Sequence, residues 1–237
     1  MPDIRRSRHG RLEGLAVAAV MMIAAHAAGA APKPDPWPRW AAHDPGSDAV
    51  IDHLPWDRFL ARYLVAGEDG VNRLRYGRVT AADRVALEGY VETLAAVPIS
   101  AFRRSEQLAY WINLYNALTV EVILGHYPVA SILDIAISPG WLAIGPWRKK
   151  LILVEGRELS LDDIEHRILR PIWRDARIHY AVNCAAIGCP NLGRGAYTGA
   201  TVEARRSQAA RDYVNNWRAV TIEDGVLFVS SLYKWYR

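Results

Sequence analysis

The run His179-Tyr-Ala-Val-Asn183-Cys184-Ala-Ala-Ile-Gly188-Cys189-Pro190 packs more reactive side chains into twelve residues than any other part of the chain. Three chemistries fit it. The two sulfurs can close a small disulfide loop, shaped by Gly188 and Pro190, as an oxidising compartment favours. One of them can instead be a thiolate nucleophile. The thiolate attacks, not the thiol, so an imidazole such as His166 or His179 must take its proton. Finally, two Cys and two His can hold zinc, although the histidine spacing matches no standard finger. A bridged cysteine can neither attack nor ligate, so these readings exclude one another. C-x-x-C spacing, the mark of thiol redox motifs, is missing.

Two further groups carry polar chemistry. Asp162, His166 and Arg170 are spaced by four and align on one helical face, from which Glu165 points away. An acid four residues before a histidine can orient its ring and stabilise its cation, which is half of a triad-like arrangement. The plain alternative is a solvated face of i,i+4 pairs. Asn113 and Asn116 lie three apart among Trp111, Ile112, Tyr115 and Leu118, on one side of a helix. Asn is a poor interior helix residue, so a buried polar role is expected. That role is either a bond to a neighbouring loop or contact with substrate. Arg205, Arg206 and Arg211 read as a solvated face.

The elements that must position these groups follow from periodicity and caps. Ile51, Leu54, Phe59, Leu60 and Tyr63 repeat at helical spacing, and Pro55 marks the helix start. Residues 68–77 read as a turn-rich connection. Thr80 with Asp83 opens a second helix, which Pro98 ends. Ser105 is expected to cap a third, running through Leu108, Trp111, Tyr115 and Val122 to Gly125. Residues 138–146 read as a loop. Residues 151–159 read as a β-hairpin turning at Glu155-Gly156. Ser160 to Asp163 opens a short helix that Pro171 should close. Alternation of Ile178, Tyr180 and Val182 predicts a strand ending at Cys184. A helix over 201–217 and a hairpin turning at Asp224-Gly225 complete the chain. The result is an α+β fold: one mainly helical domain over 48–237, with a small, mostly antiparallel sheet made of hairpins.

Composition bounds the function. The chain has 237 residues, 51% hydrophobic and 23% charged, as expected of a globular domain. Residues 1–30 have the three parts of a secretory signal: Arg5, Arg6, Arg8 and Arg11, an apolar run from Leu15 to Ala25, then Ala28-Gly29-Ala30. A periplasmic or secreted protein is expected, with no membrane attachment after signal cleavage. Removing four Arg and two acids takes the net charge from +4 to +2, which gives no argument for a nucleic-acid partner. Residues 31–47 read as an extended leader pinned by Trp37 and Trp40. With no Gly-rich phosphate loop and no HExxH motif, no cofactor and no metal are assigned.

Four blocks then point to a family. Residues 109–119, 160–170, 177–190 and 233–236 occur in the order seen in the domain of unknown function 547 family, and the chain resembles that family from about Val50 to Arg237. The resemblance implies that Asn113, Asn116, Glu165, His166, Arg170, His179, Cys184, Cys189 and Pro190 belong to a shared site. It brings no activity with it. Family members occur in bacteria and plants, and their pattern usually continues beyond the closing Trp-Tyr block. Two functions are therefore carried forward. One is a thiol-dependent hydrolase or acyl-transfer enzyme, with Cys184 or Cys189 attacking, His166 (oriented by Asp162) or His179 as base, and an Asn amide assisting. The other is a non-catalytic binding or interaction module whose Cys184–Cys189 loop only stiffens a groove. In both, the partner is an unknown peptide-like or small-molecule ligand, contacted by Asn113, Asn116, Glu165 and Arg170.

Overall fold

The computed structural model describes residues 34–140 and 144–235, leaving the Trp235 side chain aside. The signal segment expected at 1–30 lies outside the described residues. The described residues form one compact unit.

At its centre is helix α3, Arg104–His126, in which every residue from Glu106 to Val120 is buried. A helix buried on all sides needs neighbours all round. Helices α1 (Leu54–Tyr63) and α2 (Ala81–Ala96) supply some of them, through Trp56, Phe59, Leu60, Leu87, Tyr90 and Leu94. The Thr80 hydroxyl accepts from the Asp83 amide and caps α2 as expected. Ser105 does not cap α3, whose N-cap is Arg103 without a side-chain bond. An unanticipated hairpin runs into the connection at 68–77: β1 (Leu64–Ala66) pairs antiparallel with β2 (Asn72–Leu74).

Strands β3 (Ile152–Val154) and β4 (Arg157–Leu159) form the predicted hairpin, with Glu155 and Gly156 both at positive φ in its turn. The next helix starts as the sequence indicates: the Ser160 hydroxyl caps the Asp163 amide, and the Asp163 carboxylate accepts from Ser160. Pro171 does not end it. The helix widens to a π-helix over Asp163–Leu169 and continues through Pro171 as α4, Arg170–Trp173. The expected strand at 178–182 is instead a one-turn helix, α5, Ile178–Ala181. The physical reason is local. Asp175 accepts from the Arg177 amide, and the carbonyls of Asp175 and Ala176 take the amides of Ile178 and His179, closing turns before an extended partner is met.

Helix α6 (Val202–Val214) ends three residues earlier than expected. It is followed by strands β5 (Val220–Glu223) and β6 (Val226–Val229), then by α7 (Leu232–Trp235). The fold is thus mainly helical, with three separate antiparallel hairpins among the described residues rather than one sheet. No helix there is long and apolar enough to cross a membrane.

Candidate functional site

The π-helix and α5 bring the titratable cluster together. Arg170 donates from its guanidinium to His166 Nδ1 at 3.0 Å, and Asp162 Oδ1 stands 3.9 Å from His166 Nε2. Guanidinium only donates, so His166 Nδ1 is the acceptor and the ring proton sits on Nε2. Glu165 points away from that face, as the spacing indicates, and meets His179: Nδ1 lies 3.2 Å from Glu165 Oε1. A carboxylate only accepts, so His179 carries its proton on Nδ1. Glu165, His166 and His179 are all buried.

The electrostatics run against the expected Asp–imidazolium pair. A true ion pair would raise the histidine and lower the acid. Burial holds His166 below its ordinary value, with Glu165 opposing and Arg170 and His179 reinforcing. Burial also lifts Asp162 to about 6, helped by the Glu165 and Asp163 charges. Desolvation outweighs mutual attraction at 3.9 Å, so Asp162 neither hydrogen-bonds His166 nor stabilises its cation.

Cys184 and Cys189 are bonded to each other. The bridge is what the loop reading required, and it withdraws both sulfurs from nucleophilic or metal-binding use while it holds. Among the described residues, no three His, Cys, Asp or Glu side chains converge as a metal site needs.

The paired amides of α3 position this region without facing a ligand. Asn113 Nδ2 donates to the Tyr197 carbonyl and its Oδ1 accepts from the Tyr197 amide, at 2.7 and 2.9 Å. Asn116 Nδ2 donates to the Ala181 carbonyl and its Oδ1 accepts from the Asn183 amide. Asn183 continues the chain of contacts, donating to the Pro190 carbonyl and accepting from the Ala185 amide. The disulfide loop is thereby hung from the central helix. Loop bonding, not substrate contact, is the role that the geometry gives Asn113 and Asn116.

Sequence reasoning missed several participants. Tyr213 donates its hydroxyl to the Gly188 carbonyl, and Arg218 donates to the carbonyls of Ile187 and Cys189, so α6 and the turn before β5 brace the disulfide loop. Nothing in their local spacing marks these two. Arg206, read as solvated, is 2% exposed and lies against Asp175 and Glu203. Arg205 spends its guanidinium on the Gly195 and Ala196 carbonyls.

His179 and Arg170 reach a cavity of about 350 Å³ that Arg174, Asp175, Pro34 and Pro36 also wall. Arg174 sits in the left-handed region at φ 50° as the C-cap of α4, which turns the chain toward α5. A larger cavity, about 820 Å³, lies elsewhere, between Gly67, Asn191, Tyr197 and Arg211. It contains none of the histidine cluster. The smaller one is the better candidate, because the buried His179 ring of the cluster reaches it.

Comparison with known proteins covers three of the four sequence blocks, those at 109–119, 160–170 and 177–190. Residues 99–214 match the model of DUF547, a family described as proteins of unknown function, and over this stretch the chain belongs to that family. The match spans α3, the π-helix, the disulfide loop and α6. No curated protein and no solved structure matches the chain.

Proposed function

We propose that this is an exported, non-catalytic binding module that takes a carboxylate-bearing, peptide-like ligand at the cavity walled by His179, Arg170 and Arg174. The observation that carries the reading is the Cys184–Cys189 bridge beside amides already bonded to backbone. The enzyme reading needs a thiolate with an imidazole base. With the bridge closed it has no nucleophile, and His166 Nδ1 is already bound to Arg170. What remains is a recess walled by Arg170 and Arg174, by an Asp175 carboxylate already paired with Arg177 and Arg206, and by the His179 ring that meets Glu165. Guanidinium groups recognise carboxylates well, by parallel charge-assisted bonds.

Two measurements test it. Protein purified from the periplasm without reductant should show no thiol labelling, whereas two labelled thiols would restore the hydrolase reading. N-acetyl-dialanine should shift the His179 ring signals in NMR titration, its C-terminal amide should not, and Arg174→Ala should weaken binding about tenfold, the loss of one charge-assisted contact. No shift with the carboxylate form sinks the proposal.

A further inference from the structure

Between Ala31 and Pro38 the chain reads Ala-Pro-Lys-Pro-Asp-Pro-Trp-Pro, a proline at every second position. Two consequences follow from covalent chemistry. A residue before proline is restricted to extended backbone, so the segment is stretched before it meets anything. Proline has no N–H, so all donors sit on the alternate residues and point to one side. Such a segment is expected to be extended, with a single donor edge.

The structure shows where that edge goes. The Asp35 amide donates to the His166 carbonyl and the Trp37 amide to the Arg167 carbonyl, each at 3.2 Å. Carbonyls inside a helix normally have no capacity to spare for a strand. These two do, for a stated reason. The Arg170 amide bonds back five residues, to Glu165, skipping His166. Pro171 brings no amide at all, so neither carbonyl is claimed by it. The π-turn with its proline therefore leaves two neighbouring acceptors, which take the amides of Asp35 and Trp37. Side chains complete the fit. The Arg167 guanidinium lies 4.4 Å from the centroid of the Trp37 ring and 3.1 Å from Asp35, an ion pair without hydrogen-bond alignment. The proline side faces recesses: Pro34 and Pro36 toward His179 and Arg170, Pro36 and Pro38 toward Arg104 and Ile172.

We propose that this groove is a receptor for extended X-Pro-X-Pro peptides, occupied in this molecule by residues 34–38 of its own chain. The inference rests on the reading of this face as a ligand-binding face, and it names the ligand: a peptide with prolines at alternate positions, read by two backbone acceptors and an aromatic residue over Arg167. A tethered copy of such a ligand acts at a millimolar effective concentration, so a free peptide binds only when the leader is loosened.

The test uses the full chain. In the variant Asp35→Pro/Trp37→Ala the leader loses the Asp35 donor, its ion pair and the aromatic ring over Arg167. Acetyl-Lys-Pro-Asp-Pro-Trp-Pro-amide, labelled for fluorescence anisotropy, should bind this variant at least tenfold more tightly than the parent. The same peptide N-methylated at Asp and Trp should bind at least tenfold more weakly. In the parent, hydrogen exchange should show the Asp35 and Trp37 amides protected. A second variant acts from the floor: Pro171→Ala supplies a competing amide and should speed exchange at both positions. Unprotected amides in the parent, or equal binding of the N-methylated peptide, overturn the proposal, as does a folded loosened variant that ignores the peptide. Peptide binding without a response to N-acetyl-dialanine would remove the carboxylate cavity and leave the groove standing. The reverse pattern would remove the groove alone.

Discussion

Asp162 faces His166, yet the two do not charge each other, and the difference can be measured. Burial raises the Asp162 carboxyl to about 6 from an ordinary 3.8. The folded state therefore binds more protons than the unfolded state between those values, and stability falls as pH rises through that window. Above it the buried charge is a standing cost. Asp162→Asn should stabilise the protein at pH 8 by about 1–2 kcal/mol, a figure already reduced for partial solvent access, and should give no gain at pH 3.5. Urea denaturation at the two pH values checks it. His53 works in the opposite sense. It is buried, bonded through Nδ1 to the Tyr90 hydroxyl, with Nε2 unpartnered, and burial lowers it to about 4. Its folded value lies below the unfolded 6.5, so the unfolded state binds more protons between the two. Stability is then lost as pH falls from 6.5 toward 4, by up to about 3 kcal/mol, and His53→Gln should flatten that slope in urea titrations. Sequence spacing revealed the 162/166/170 face because four-residue neighbours meet on any helical turn. It could not reveal Glu165 against His179, which depends on where a one-turn helix fourteen residues away is docked.

Helix α3 shows the same division at the level of elements. Its apolar spacing and the caps of α2 are properties of the local chain, and both were legible. That the helix is buried all round was not, because burial of its second face depends on distant segments such as residues 192–197 and 178–182. Asn113 and Asn116 marked that second face: two amides in a helix interior are costly unless backbone elsewhere needs them. Asn113→Ala removes both partners of Tyr197 in a buried site, leaving an amide and a carbonyl unpaired. The expected loss is about 2–4 kcal/mol, read as a lower urea midpoint with unchanged slope. Pro171 was misread for a related reason. Proline breaks a regular helix by leaving a carbonyl without its donor, and here the leader supplies the donors from outside, so the helix runs on. Alternating apolar residues at 178–182 suggested a strand, but the Asx turn at Asp175 was the stronger local signal and could have located α5.

Across the whole molecule, stability and exposure are unevenly spread, and two outcomes should follow. The Cys184–Cys189 bridge closes a loop with a sequence separation of 5. Constraining so short a loop is worth about 2 kcal/mol, so Cys184→Ala/Cys189→Ala should lower the unfolding free energy by that amount while α3 keeps its hydrogen-exchange protection. The C-terminal hairpin is the opposite case. Its register pairs Ile222 with Leu227 and Thr221 with Phe228, around the Asp224-Gly225 turn that marks the hairpin in the sequence. Yet Ile222, Leu227 and Phe228 are 70, 60 and 50% exposed, so the pattern that indicates a hairpin does not indicate a core beneath it. Among the described residues, Tyr213, Ala219 and Leu232 form a small buried cluster close by. A leucine already in water loses almost nothing on becoming charged, whereas a leucine at zero exposure leaves a cavity when it is cut back. Leu227→Lys should therefore change stability by no more than about 0.5 kcal/mol, and Leu114→Ala in α3 should cost about 3–5 kcal/mol. Both are read from chemical denaturation of the full chain. A large loss from Leu227→Lys would mean that the hairpin's apolar side chains are covered in solution, which the exposures of this structure do not allow.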